Sequence, residues 1–247
     1  MIKPLTKKFR VIGIEQRPLW PNSDPKILKT WEQLADDLIA FFDQQNLNQI
    51  IGIGHSLGAV VTLMATRKRP DLFRRLFLLE PVLFPQYFQW IFKIIPISLR
   101  QKIIPVSRIA NNRKNQWPNR NNLFESYRKK HIFRDLSDQA INDWIDHGTI
   151  KNQEGRLQLA FPKDWESRIY ATVPYALDGL FDLEVPVHIL RGETTNVISK
   201  KVWQQIEEKV PAENLYELKD ASHLAPLEFP NLIANWMMEA IDSDKQC

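Results

Sequence analysis

The sequence predicts an α/β fold: a mostly parallel sheet with helices on both faces and an inserted helical cap. Short apolar runs alternate with segments of helical periodicity in the first third of the chain and again near its end, which is typical of strand–helix–strand units in a parallel sheet. The stretch between these parts is helical in pattern almost throughout. The expected organisation is a core segment at 1–82, a cap at 83–183 and a second core segment at 184–247.

Each element follows from a local pattern. The apolar runs at 11–14, 50–54 and 76–79 have the length and character of buried strands. In the cap, Ser137 is a predicted N-cap and Gly148 ends the helix that follows it. The other predicted core elements are helices at 31–42, 57–66, 201–210 and 231–241 and strands at 185–190 and 215–218.

Composition narrows the class of protein. The chain is 44% hydrophobic and 25% charged, as in an ordinary globular protein. No apolar run reaches the roughly 20 residues that span a bilayer, and the first ten residues lack the apolar core of a signal peptide. The one cysteine, Cys247, leaves no internal disulfide. We therefore expect a cytoplasmic protein without an integral membrane segment, and a net charge of +4 that permits anionic partners without requiring them.

The run Gly54-His55-Ser56-Leu57-Gly58 matches the G-x-S-x-G pattern of a nucleophile elbow. A predicted buried strand ends at the first glycine and an apolar helix begins after the serine. A sharp turn at this point lifts the serine hydroxyl clear of the sheet, and larger side chains at the glycine positions would clash with neighbouring backbone. The turn also brings the Leu57 N–H to a helix N-terminus, where it can face a developing oxyanion. A glycine-rich strand–helix turn without a catalytic role is the alternative interpretation.

A serine nucleophile needs a base, and His223 is the best candidate among five histidines. It follows the last predicted strand, and catalytic groups are commonly found on loops at the C-terminal edge of a parallel sheet. His55 lies inside the elbow and is expected to be structural, while His188 lies in the middle of a predicted strand. The remaining two histidines fall in the cap.

Together these residues resemble the α/β-hydrolase fold family, in particular its cap-bearing bacterial branch with G-H-S-x-G elbows, which holds esterases, lipases, thioesterases and C–C bond hydrolases. The resemblance runs from about Phe9 to Trp236. It implies Ser56 as nucleophile, a late histidine as base and the Leu57 N–H as one oxyanion donor. The chain departs from the family at 17–20, where Arg-Pro-Leu-Trp stands in place of the common R-G-H-G turn.

The pattern offers more than one candidate for the third triad member, the acid. Most family members carry the acid three residues after the glycine that ends the seventh strand, and here that position holds Thr195, followed by Asn196. Some lipase-like members instead place the acid after the sixth strand, where this chain has Glu80. We predict Glu80 as the acid, with Glu193 and Asn196 as the alternatives.

The same resemblance raises an expectation about the N-terminus. The family normally has three strands before the one predicted at 11–14, and a histidine–glycine loop after the third supplies a second oxyanion N–H. Only ten residues precede Val11, and Gly13 is the only glycine before residue 52. We therefore expect the N-terminal strands and the oxyanion loop to be missing, which would impair activity by about 3 kcal/mol for one lost donor. A start upstream of Met1, a truncated paralogue and a partner chain that donates the strands are the alternatives.

The start of the cap is rich in aromatic residues. Phe84, Tyr87, Phe88 and Trp90 directly follow the sixth strand of the family pattern. They are predicted to line an apolar acyl pocket, and packing of the cap against the core is an equal alternative.

A basic segment follows, with ten Lys or Arg and one acid, Glu125, between residues 100 and 134. It could attract an anionic substrate, a membrane surface or nucleic acid, but no nucleic-acid motif accompanies it, and a solvated basic face is the simpler interpretation.

The expected function is hydrolysis of a carboxylic ester or thioester through an acyl-enzyme, with Ser56, His223 and Glu80 as catalytic residues. No cofactor or metal is expected, because no histidine–carboxylate cluster has ligand spacing. The rival hypothesis is a catalytically impaired protein of the same fold that acts as a binding or accessory module. The expected partner is a small acyl ester or thioester, not nucleic acid, and the oligomeric state stays open.

Overall fold

The computed structural model describes residues 2–87, 92 and 94–243 and contains two compact units. The first unit comprises Met1–Ile14, Leu38–Pro85 and Ala176–Cys247, and the second comprises Glu15–Asp37 and Gln86–Tyr175.

The strands are β1 Ile50–His55, β2 Phe73–Leu79, β3 Gln116–Trp117, β4 Thr149–Lys151, β5 Leu157–Leu159, β6 Val187–Gly192 and β7 Leu215–Leu218. The helices are α1 Ile2–Leu5, α2 Glu32–Gln44, α3 Leu57–Lys68, α4 Ile97–Ile103, α5 Pro105–Asn112, α6 Arg120–Arg128, α7 Asp138–Gly148, α8 Lys163–Ala171, α9 Leu177–Phe181, α10 Lys200–Glu207, α11 Ala225–Glu228 and α12 Pro230–Ser243. Short 3-10 turns occur at Arg17–Leu19, Pro25–Ile27, Pro70–Leu72, His131–Phe133 and Ala212–Asn214.

The first unit is built on a parallel sheet of order β1-β2-β6-β7. In its register His55 pairs with Leu79, and Leu79 pairs with Leu190. The C-terminal ends of three strands therefore lie side by side, and the residues that follow them meet at one edge of the sheet.

Apolar residues from the strands and the terminal helices form the core on one face of this sheet. Buried side chains of β2, β6 and β7 pack with those of α12 and with Leu5 of α1. The fully buried members of the cluster are Phe77, Leu79, Leu190, Ala221, Ala225, Ile233 and Met237. Helix α3 packs closely against β1 at Gly52, where an added Cβ would lie 2.8 Å from the Thr62 methyl group.

The strand predicted at 11–14 is wrong. The segment is not part of the sheet, and Val11 and Ile12 are each 38% exposed. A β-strand is stable only when its backbone groups pair with a neighbour, and within the described residues β1 pairs with β2 alone. The sequence pattern shows that the run is apolar, but it does not show whether a neighbouring strand is present to pair with it.

The second unit has its own small core. Residues 15–37 belong to it, although the sequence boundaries put them in the core segment. The physical reason is a set of hydrogen bonds to α8: the Trp31 indole donates to the carbonyl of Ile169, the Trp165 indole to Ser23 Oγ, and the Arg168 guanidinium to the carbonyl of Leu28.

The cap segment also contains strands that the sequence pattern did not reveal. An antiparallel sheet of order β3-β5-β4 is made of strands of only two or three residues. Such runs are too short to show a period of two. The helix after Ser137 has the predicted cap, since the Ser137 hydroxyl accepts from the N–H of Ala140 at 3.1 Å. Within the described parts of both units, no helix combines the length and apolar character needed to cross a bilayer.

Candidate active site

Ser56 occupies the turn between β1 and α3 in a strained backbone conformation. Its φ is 55° and its ψ is −116°, a combination that a residue with a Cβ adopts at a cost of about 1–3 kcal/mol. The turn is fixed from the neighbouring strand, because the Ser56 N–H donates to the carbonyl of Leu79 at 3.0 Å. Strain held in place by the surrounding sheet is characteristic of a residue that serves a site.

Gly54 makes this turn possible. A Cβ at this position would lie 2.4 Å from the carbonyl oxygen of Gly58 and 2.5 Å from the nitrogen of Ala59. Both are backbone atoms of α3 and cannot move aside as a side chain could. The first glycine of the G-x-S-x-G run is therefore required by the close approach of strand and helix.

His223 lies on the loop after β7 and contacts both of the other predicted triad members. Its Nε2 is 2.9 Å from Ser56 Oγ, and its Nδ1 is 3.0 Å from Glu80 Oε2. A carboxylate only accepts hydrogen bonds, so Nδ1 carries the proton and Nε2 is left to accept from the serine hydroxyl. The structure thus brings Ser56, His223 and Glu80 into one chain of hydrogen bonds.

Glu80 directly follows β2 and is completely buried. Its φ is 49°, and its N–H donates to the carbonyl of Leu190 at 2.8 Å. Besides His223, its carboxylate accepts from the Gly192 N–H at 2.5 Å and from the Thr195 hydroxyl at 2.6 Å. A buried carboxylate is costly unless donors surround it, and here three donors do.

The alternative acids point elsewhere. Glu193 is exposed, and its Oε2 accepts from the N–H of Asp220 at 3.0 Å. Asn196 is exposed as well. Thr195, at the position where most members carry the acid, instead donates to Glu80 Oε2, the same oxygen that faces His223.

His55 has a supporting contact that the sequence pattern does not reveal. Its Nε2 donates to the carbonyl oxygen of His223 at 2.8 Å, and the two ring centroids are 4.9 Å apart. Burial, followed by the nearby His223, lowers the pKa of His55 to about 4. The ring is therefore neutral near pH 7, and its hydrogen bond holds the main chain of His223 in place.

The histidine loop is braced from two further sides. The Glu228 carboxylate of α11 accepts from the Ser222 N–H at 2.8 Å and also from the Ser222 hydroxyl. The Thr194 N–H and hydroxyl donate to the carbonyl of Ala221 at 3.0 and 2.9 Å. These partners lie far apart in sequence or in unpatterned loops, so only the folded chain identifies them.

The other predicted site residues are the oxyanion donor and the aromatic residues of the acyl pocket. Leu57 is the first residue of α3, where the backbone N–H has no intrahelical acceptor. Phe84 is half-buried and Tyr87 is 58% exposed. Phe88 and Trp90 lie outside the described residues. Among the described residues, no three histidine, cysteine or carboxylate side chains gather as ligands for a metal ion.

A parallel sheet that holds a serine on a sharp turn, a loop histidine and a buried carboxylate at its strand ends defines the α/β-hydrolase class of proteins. The sequence model of the alpha/beta hydrolase family matches residues 16–236, so the chain belongs to this family.

Individual relatives agree with this assignment at low identity. The uncharacterized hydrolase YugF of Bacillus subtilis is 20% identical over 242 residues, which cover 98% of this chain and 83% of that protein. The crystal structure of E-2-(acetamidomethylene)succinate hydrolase superposes with a TM-score of 0.76 at 19% identity, over 98% of this chain and 86% of that one. A thermophilic esterase from Thermogutta terrifontis gives a TM-score of 0.65 at 20% identity, over 98% of this chain and 83% of that one. The chain is thus similar in sequence to an uncharacterized hydrolase and similar in fold to a hydrolase and an esterase.

Proposed function

We propose that the protein is a serine hydrolase that cleaves carboxylic esters or thioesters through an acyl-enzyme intermediate. The observation that carries the proposal is the continuous pair of hydrogen bonds from Ser56 Oγ to His223 Nε2 and from His223 Nδ1 to Glu80 Oε2. Nucleophile, base and orienting group stand in the order that activates a serine hydroxyl. Esterases and hydrolases among the relatives support the same reaction class.

In the first half of the reaction, Ser56 Oγ attacks the acyl carbon while its proton moves to His223 Nε2. The imidazolium that forms is stabilised by the Glu80 carboxylate, which also holds the ring in the tautomer that accepts at Nε2. His223 then gives the proton to the leaving alcohol or thiol. A water molecule deprotonated by the same nitrogen hydrolyses the acyl-enzyme and frees Ser56.

The Leu57 N–H is the proposed donor to the oxyanion. It opens α3 directly beside Ser56, so the partial positive charge of the helix N-terminus adds to its own dipole. One such donor contributes about 3 kcal/mol to stabilising the tetrahedral intermediate.

The aromatic residues after β2 are the proposed acyl-binding side chains. Phe84 is only four residues from Glu80 along the chain, and Tyr87, Phe88 and Trp90 follow it. An apolar lining would suit an acyl chain, and it would leave the polar groups of the site to the ester carbonyl.

Labelling with an active-site fluorophosphonate tests the proposal, because only an activated serine reacts. We expect the wild type to be labelled and to hydrolyse p-nitrophenyl acetate. Ser56→Ala and His223→Ala should each lose the labelling and at least about a thousandfold in turnover, and the double variant should be little worse than either single one. Ser243→Ala, an exposed serine at the end of α12, is the matched control.

Glu80→Gln should lower kcat strongly, by up to about 10⁴-fold, since a neutral partner favours the wrong tautomer of the histidine. Glu193→Gln and Asn196→Ala should stay near wild type. Absence of labelling in the wild type would contradict the proposal and favour a binding module of the same fold. Wild-type turnover in Ser56→Ala would reject the mechanism.

A further inference from the structure

Two consecutive helices of the second unit expose large aliphatic side chains. We call this set the α4–α5 outer face: Ile94 just before α4, Leu99 and Ile103 on α4, and Val106 and Ile109 on α5. Their exposed fractions are 81%, 46%, 49%, 53% and 65%. Single exposed aliphatics are ordinary, but five of them between residues 94 and 109, on and beside two consecutive helices, mark a candidate interaction site.

The amphipathicity of α5 is inverted relative to that of an ordinary surface helix. Its buried residues are the small Ser107 and Ala110, whereas its large aliphatic residues point outward. Ser107 Oγ donates to the carbonyl of Ser167 on α8 at 2.7 Å and lies 3.0 Å from its hydroxyl. On α4, Gln101 donates to the same hydroxyl at 3.3 Å.

Hydrogen bonds and close packing of small residues therefore attach both helices to α8. Val106 and Ile109, the large aliphatic residues of α5, leave more than half of their surface exposed. A helix that turns its apolar face away from its own unit presents that face to something else.

The charges around the outer face all have one sign. Residues 94–113 contain four Lys or Arg and no acid. Lys102 and Arg108 are exposed between the aliphatic residues and form no salt bridge in the described part of the chain. By contrast, Arg113, Arg120 and Arg128 of the same basic segment pair with Glu166, Asp146 and Asp138. Lys102 and Arg108 thus place uncompensated positive charge beside the aliphatic side chains, and Lys114 and Lys129 further along the basic segment also form no salt bridge within the described residues.

We propose that the α4–α5 outer face binds the surface of an anionic lipid bilayer. The aliphatic side chains enter the boundary between headgroups and acyl chains, and Lys102 and Arg108 extend to the lipid phosphates. An apolar face flanked by cations is the pattern of helices that lie in the plane of a membrane interface. The charge favours this occupant over an ordinary protein partner, and the aliphatic character favours it over nucleic acid, which is bound through polar, cationic and aromatic side chains.

Co-sedimentation of the full chain with large vesicles tests the proposal independently of any esterase activity. We expect binding to vesicles of equal parts phosphatidylcholine and phosphatidylglycerol, and weaker binding to phosphatidylcholine alone. Raising the salt to about 0.5 M should weaken binding by screening the cations. Ile103→Gln/Ile109→Gln should lower binding by about tenfold or more, because two apolar anchors are lost, and Lys102→Gln/Arg108→Gln should lower it on anionic vesicles only.

The matched control is Ile132→Gln/Ile150→Gln, which removes two isoleucines of the second unit that are 51% and 55% exposed but lie outside the outer face. It should bind vesicles like the wild type, and circular dichroism should show all variants folded.

No vesicle binding by the wild type, or an equal loss in the control, would overturn the proposal. So would a dimer in solution that Ile103→Gln/Ile109→Gln converts to a monomer without any vesicle binding, since the face would then join two copies. Binding to duplex DNA that depends on Lys102 and Arg108 but not on Ile103 and Ile109 would overturn it as well.

Discussion

At the scale of single residues, the hydrogen-bond donors around the Glu80 carboxylate fix its orientation toward His223. Its Oε1 accepts from the Gly192 N–H, and its Oε2 is shared by the Thr195 hydroxyl and His223 Nδ1. A carboxylate fixed at both oxygens cannot rotate away from the histidine. Thr195 is therefore a positioning residue, which acts on His223 through Glu80.

Thr195→Val removes one donor to Glu80 with little change in volume. We expect kcat to fall by about tenfold, because a hydrogen bond to a charged group contributes roughly 1.5–3 kcal/mol. KM should hardly change, since Thr195 does not touch substrate in the proposed mechanism. Steady-state kinetics on p-nitrophenyl acetate would measure both constants.

Thr195→Ser is the control, since it keeps the hydroxyl and should keep most of the activity. If the serine variant were as impaired as the valine variant, the methyl group and its packing would be responsible, and the positioning role would be wrong.

The sequence could predict the groups that meet in the hydrogen-bond chain but not those that support them. The G-x-S-x-G spacing reflects a local backbone requirement, so Ser56 is identifiable from five consecutive residues. Glu80 is predicted because the resemblance to lipase-like members places an acid directly after this buried strand. The contacts of His55 with the His223 carbonyl and of Glu228 with Ser222 depend on loop conformations that no periodicity encodes.

At the scale of elements, the site depends on how closely the end of β6 approaches the histidine loop. A Cβ on Gly192 would lie 2.4 Å from the carbonyl oxygen of Ala221 and 2.7 Å from that of Ser222. Only glycine permits this approach, and the approach also brings the Gly192 N–H to Glu80. The end of β6 thus sets the positions of Glu80 and His223, two members of the proposed triad, at once.

Gly192→Ala should push the histidine loop away from the sheet. We expect kcat to fall by about a hundredfold, the loss typical of a displacement of about 1 Å in a catalytic group. Gly13→Ala is the control, because a Cβ there meets nothing within 4 Å. Kinetics together with circular dichroism would separate a displaced loop from an unfolded chain, and wild-type turnover in folded Gly192→Ala would contradict the prediction.

The sequence predicted correctly those strands whose apolar run also has a neighbouring strand to pair with. The strands at 50–54 and 76–79 lie inside the observed β1 and β2, and the last predicted strand has the bounds of β7. The run at 11–14 failed because strand formation depends on a pairing neighbour and not on the run itself. The short strands of the second unit were missed for the opposite reason. They are strands because they pair with one another, although their sequences show no strand pattern.

At the scale of the whole molecule, a buried histidine and a buried arginine lie beside the core of the first unit, between its sheet and its C-terminal helix. His188 of β6 stacks on Phe77 of β2 with ring centroids 4.9 Å apart and lies edge-on to Trp236 of α12. Arg75 Nη1 donates to His188 Nε2 at 3.0 Å and also to the carbonyl of Ala240. Burial, followed by the charge of Arg75, lowers the pKa of His188 to about 4. The fold therefore holds this ring in its neutral form.

This depressed pKa makes the stability of the fold sensitive to acid. Unfolding returns His188 to its ordinary pKa of 6.5, so the unfolded chain binds more protons than the native one at any pH between these two values. The free energy of unfolding then rises with pH in that window. The contribution is fully present above the unfolded pKa and is lost as the pH falls towards 4.

We expect the wild type to lose about 2 kcal/mol of unfolding free energy through His188 alone between about pH 7 and pH 5. His188→Gln keeps a side-chain oxygen to accept from Arg75 but removes the titrating group, so its unfolding free energy should fall less over the same range. Urea denaturation at the two pH values measures this difference, whatever the stability of the variant at neutral pH. His131→Gln, an exposed histidine of the second unit, should retain the full wild-type acid sensitivity. Equal losses in the wild type and in His188→Gln would show that the acid sensitivity arises elsewhere, with the neutral His55 beside the catalytic loop as the next group to test.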